Sequence, residues 1–119
     1  MFLRYKVMWR DVAKEFIVAV DTEGIIPDYT INYVVTNNID EAYYLFAILL
    51  SPQINAVVQE LSPWVGHVQP RFLRYFKIPR YRSTHPIHKT LANKGKVIHE
   101  KGYVDYSDLK DIESLVDQL

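Results

Sequence analysis

Four histidines, a pair of separated aspartates and a run of basic residues are the groups in this chain with chemistry to offer. His85 and His88 stand three apart, with His67 and His99 further off, and imidazoles at that spacing can ligate zinc. The bland reading is stronger. His85 precedes Pro86 in a loop, the chain has no cysteine to complete a soft ligand set, and histidine suits a basic surface. Pro27-Asp28 with Asp108-Leu109-Lys110 imitates a metal-dependent nuclease signature. Such chemistry wants its carboxylates on adjacent strands, however, and Asp108 opens an amphipathic segment far along the chain. Ser51 and Ser62 each precede a proline at a helix end and read as caps, not nucleophiles.

Charge distribution is more informative. The formal net charge is zero, yet residues 1–60 hold four Lys/Arg against eight acids. Residues 61–99 hold eight Lys/Arg and no acid, and the tail from Glu100 is acidic again. Segregated blocks create local potential even when the total cancels. An acid-free segment is either a solvated face or a polyanion site. Read as the latter, its candidates for DNA contact are His67, Gln69, Arg71, Arg74, Lys77, Arg80 and Arg82. Arginine and lysine supply phosphate affinity, arginine can pair with guanine and glutamine with adenine. Arg4, Lys6 and Arg10 add phosphate contacts if the polar face of the first strand lies on the same side. Tyr75 and Tyr81 alternate with the basic residues and are expected to pack rather than stack.

The elements that position these residues follow from periodicity. At 119 residues, 49% apolar, the chain has room for one domain with its own core. No signal peptide is visible, and the apolar run 42–50 is under half the roughly 20 residues that span a bilayer, so a cytoplasmic protein with no membrane association is expected. Alternation over 2–9 and 29–35 and a continuous apolar run at 15–20 predict strands, the last covered on both faces. A final strand is expected at 75–79, ended by Pro79. Asn37-Asn38-Ile39-Asp40 can cap a buried helix over 40–50. Ser51-Pro52 starts a second helix over 52–61, which Ser62-Pro63 should stop. Pro86 opens a helix over 86–100, with Ile87, Leu91 and Val97/Ile98 inward, weakened at Gly95 and stopped by Gly102. Ser107 should cap a last helix over 107–117 with Leu109, Ile112, Leu115, Val116 and Leu119 on one stripe. The expected class is α+β: a small, mostly antiparallel sheet against helices, residues 1–82 forming the core and 83–119 a helical extension.

Several of these residues carry a resemblance when taken in order. Trp9-Arg10 is followed by Asp40-Glu-Ala-Tyr-Tyr-Leu, Ala47-Ile-Leu-Leu-Ser-Pro, Pro70-Arg-Phe-Leu, Lys77-Ile-Pro79 and then His88. Residues 7–99 thereby resemble the C-terminal target-recognition region of adenine-specific DNA methyltransferases of restriction–modification systems. Fused methyltransferase–endonucleases and, more distantly, type I specificity subunits share that region. One position departs: the family usually has Asn-Ser before the second helix, and Leu50 stands in place of the asparagine, with Ser51 retained.

The resemblance implies a prokaryotic module that reads duplex DNA for a methyltransferase catalytic domain carried elsewhere. S-adenosylmethionine would belong to that parent enzyme. This chain itself reads as non-catalytic. A methyl-donor loop needs clustered glycines, and Gly24, Gly66, Gly95 and Gly102 are scattered. The family's catalytic loop needs a Pro-Pro pair to clamp a flipped adenine, and the sequence has none. The alternative is an interaction module that docks a partner through an apolar stripe of Leu109, Ile112, Val116 and Leu119 without touching DNA.

Overall fold

A computed structural model of the chain describes residues 5–12, 15–23, 32–65 and 77–119. Three strands and four helices follow in order: β1 (Tyr5–Val12), β2 (Glu15–Asp21), β3 (Asn32–Thr36), α1 (Ile39–Leu50), α2 (Pro52–Val65), α3 (Pro86–Lys101) and α4 (Tyr106–Asp117). The fold is α+β, as expected. β1 is the centre of an antiparallel sheet of order β2-β1-β3.

Register assigns the faces. Val7 lies between Val20 and Val34, and Trp9 lies opposite Val18. Val7, Trp9 and Val20 are buried, so this row is the core side. One residue along, the pleat turns every side chain to the other face. There Lys6 pairs with Asp21 at 3.4 Å, and Ala19, Tyr33 and Val35 are exposed. One expectation is corrected here: β2 is not covered on both faces, since Ala19 meets solvent. In β3, Val34 and Thr36 face inward, because a strand's inward row is decided by its neighbours' register.

α1 is the hub. The Asn38 side chain accepts from the N–H groups of Asp40 and Glu41, and Asp40 and Glu41 place negative charge in the first turn, which favours the start. Thr36 joins the sheet to this cap by donating its hydroxyl to Glu41 Oε1 at 2.7 Å and accepting from Asn38 N–H at 3.1 Å. Ala42, Tyr43, Tyr44, Phe46, Ala47, Ile48 and Leu49 are all buried, which for 12 residues means cover on nearly every side. The sheet and α3 both lie against α1.

Ser51 serves both helices that meet at it. Its N–H donates to Ile48 O at 3.0 Å, closing α1, and its hydroxyl accepts from Ile54 N–H at 3.3 Å, opening α2 with Pro52 in the first turn. This fully buried serine is a cap, as expected. α2 does not stop at Ser62-Pro63 but continues to Val65. A proline so near a helix end removes one hydrogen bond without forbidding another turn.

α3 crosses α1 at backbone distance. A Cβ on Gly95 would sit 2.2 Å from the carbonyl oxygen of Tyr43, so only glycine permits this approach. Leu91, Ala92 and Ile98 enter the common core, joined by Ile112 of α4. Val97, expected inward with Ile98, is 51% exposed. Gly102 closes α3 at φ 84°, in the left-handed region. α4 starts at Tyr106, one residue earlier than expected, because Asp105 and not Ser107 is the cap; Asp105 and Asp108 form a reciprocal capping box.

The expected strand at 75–79 is absent over 77–79: Lys77 lies in a turn at φ 52°, and Ile78 and Pro79 join no ladder. Residues 75 and 76 lie outside the described part. Among the described residues no helix is long and apolar enough to cross a membrane.

Candidate functional site

Residues 77–85 form an irregular stretch pinned to the core at several points. Ile78 and Tyr81 pack against the buried cluster. The Tyr44 hydroxyl, from the middle of α1, donates to Pro79 O at 2.7 Å. Burial first, and Glu41 second, push the Tyr44 phenol up to about 12. It therefore stays a neutral donor throughout the physiological range. Arg82 N–H donates to His88 Nδ1 at 3.0 Å, and His85 N–H donates to Arg82 O at 3.0 Å.

Rings stack around these bonds. Tyr44 lies 5.2 Å from Tyr81 and 4.9 Å from His88, centroid to centroid. His85 and His88 stack at 4.2 Å with an interplanar angle of 20°. His85 is also the N-cap of α3, its Nδ1 accepting from Ile87 N–H at 3.2 Å. A histidine is an unusual cap, but its Nδ1 occupies the position of an asparagine oxygen. Burial of His88 holds its pKa below the ordinary histidine value, with neighbouring His85 and Arg82 acting in the same direction.

With Ile78 and Tyr81 turned in, Lys77, Arg80 and Arg82 are left exposed on one short, fixed segment. None of the three forms an ion pair among the described residues. Arg80, Arg82, His85 and His88 line one recess of about 400 Å³, bounded by Pro79 and Leu119. A second recess of about 230 Å³ between β2 and the ends of α1 and α3 is mainly apolar, with His99 at its margin.

Of the sequence-derived candidates, Lys77, Arg80 and Arg82 are thus brought together. His67, Gln69, Arg71 and Arg74 lie outside the described residues, as do Arg4, Tyr75 and the side chain of Arg10. Lys6 is not available as a free cation, being engaged with Asp21. Tyr81 packs, as expected. Lys94, in the acid-free segment, is turned to α4, where it meets Asp108 at 2.9 Å and Asp111 at 3.0 Å. Compared with protein-family models, with curated proteins and with solved structures, the chain matches none.

Other chemistries lose their residues to structural duties. Asp108, the second half of the nuclease-like signature, is bridged by Lys101 and Lys94 and bonded in the capping box, which together hold its carboxyl far below the usual range. Asp28 lies outside the described residues. Among the described residues no cluster of three His, Cys, Asp or Glu could hold a metal. Gly95 serves helix packing and Gly102 a helix end.

Spacing marked His85 and His88 as a pair in the sequence, read for zinc and then as basic surface. What it could not show is that both Nδ1 atoms accept backbone N–H groups and that the two rings stack at 4.2 Å.

Proposed function

We propose that this chain is the DNA target-recognition domain of a restriction–modification adenine methyltransferase. It binds double-stranded DNA and positions the catalytic domain of the parent enzyme, which supplies S-adenosylmethionine chemistry, in the cytoplasm. The observation that carries the reading is the segment 77–82, where Lys77, Arg80 and Arg82 are exposed and, among the described residues, without ion pairs, on a backbone tied to the core by Tyr44 and His88. Cations on a preset backbone lose less freedom on meeting phosphates than cations on a loose loop. The family-like order of motifs running from Trp9 to His88 supports the same reading.

The docking alternative has less behind it. Ile112, at the centre of its proposed stripe, is fully buried in the chain's own core, and Val116 packs against that core. Gel retardation on a mixed-sequence duplex tests the proposal. Binding at low salt that falls steeply with added salt is expected, three phosphate contacts contributing a log–log slope of about −3. No binding at low salt would count against it.

A further inference from the structure

The bonding of the two stacked histidines has a consequence for what they present. Each uses Nδ1 as an acceptor, His85 from Ile87 N–H and His88 from Arg82 N–H. A neutral imidazole that accepts at one nitrogen carries its proton on the other. Both rings are therefore fixed as Nε2–H donors. Among the described residues neither Nε2–H has a hydrogen-bond partner within the protein, and neither nitrogen is a fully buried orphan, so both can be reached from outside. Both rings line the recess that also receives Arg80 and Arg82, and among the described residues no carboxylate side chain joins that lining.

We propose that Arg80, Arg82, His85 and His88 form a phosphate-binding site, two guanidinium groups supplying charge and two imidazole Nε2–H groups supplying directed hydrogen bonds. The end of α3 is not itself the site, because His85 already occupies the Ile87 N–H. A metal ion suits the recess poorly. Ligation at Nε2 would require displacing the proton that the Nδ1 bonds place there, beside two permanent positive charges. An anion uses the donors as they stand. Binding needs no histidine protonation, so affinity for the phosphate is expected to stay level as pH rises above neutrality, once the phosphate is fully ionised. This deepens the DNA-binding reading and rests on it for the source of the anion, a backbone phosphodiester; the site itself stands on the recess.

Titration of the full chain with inorganic phosphate, followed by NMR of the histidine side chains, tests it. Saturable shifts of His85 and His88 together are expected. Arg80→Gln with Arg82→Gln should weaken binding by about tenfold or more, since charge-assisted bonds to anions are the strong ones. His85→Asn keeps a capping oxygen where Nδ1 was and removes the distal donor together with the ring stacked on His88; it should weaken binding several-fold without loss of folding. Lys96→Gln, an exposed site on α3 away from the recess, should leave it unchanged. Absent shifts, or shifts that persist in the double arginine variant, would overturn the site. A parallel titration with duplex separates the two ideas. Duplex binding that survives loss of the phosphate site places DNA elsewhere on the chain, whereas phosphate binding without duplex binding keeps the site and removes DNA as its source.

Discussion

The hydroxyl of Tyr44, buried in the central helix, donates to the carbonyl oxygen of Pro79 at 2.7 Å, 35 residues along the chain. Through this hydrogen bond a segment with no secondary structure of its own is referred to the core. A second anchor joins Arg82 N–H to His88. Between those two anchors lie the exposed guanidinium of Arg80 and the inward ring of Tyr81.

Tyr44→Phe removes the first anchor and leaves a carbonyl without its partner, while ring packing is kept. A loss of about 1–2 kcal/mol is expected in urea unfolding. Hydrogen exchange should speed up at the Arg82 amide more than in α1. A variant as stable as the parent would show that the bond holds nothing.

Gly95→Ala sets two effects against each other. Alanine favours a helix over glycine by about 1 kcal/mol. Its Cβ, however, would meet the rigid carbonyl of Tyr43 at 2.2 Å. Separation of α1 from α3 should win, giving a net loss of about 1–3 kcal/mol by chemical denaturation. A gain in stability would mean the helices do not cross this closely.

The helical part of the fold was largely legible in the sequence, because caps are local. Asn38, Ser51-Pro52, Pro86 and Gly102 each mark a boundary by side-chain or backbone chemistry that needs no tertiary contact. What failed depended on neighbours distant in sequence. The open face of β2 is set by how the sheet packs, which leaves Ala19 in solvent, and Lys77 leaves the strand pattern where Tyr44 draws in Pro79. Lys94 reads as a surface cation until α4 folds back and presents Asp108. Of the candidate site, Lys77, Arg80 and Arg82 were legible as charge, whereas the two histidines acquire their donor geometry only from backbone N–H groups the sequence does not reveal.

Acid stability should carry a histidine contribution. His88 has a folded pKa below its unfolded value near 6.5, with His85, Arg82, Tyr44 and Tyr81 as the groups around it. The unfolded chain therefore takes up the proton first. Stability from this group is complete above about 6.5 and declines as pH falls from there toward the lower folded value. Urea midpoints measured between neutrality and mild acid should fall, and His88→Asn should flatten that limb relative to its own neutral value.

A second, lower limb belongs to Asp108. Its folded carboxyl lies well below the unfolded value because Lys101 and Lys94 bind it, so its contribution is present above about pH 4 and lost as pH drops further. Asp108→Asn should lower the melting temperature at neutral pH and remove part of this acid dependence, with α4 the first helix to fray. An unchanged acid profile would contradict the bridging role.

The central claim is that the cations of residues 77–82 meet DNA phosphates. The salt dependence of duplex binding by the parent chain and by the Arg80→Gln, Arg82→Gln double variant measures this most directly. Loss of two phosphate contacts should make the log–log slope shallower by about 2 and weaken binding at low salt on every sequence tried. An unchanged slope in the double variant, with both proteins folded, would contradict it.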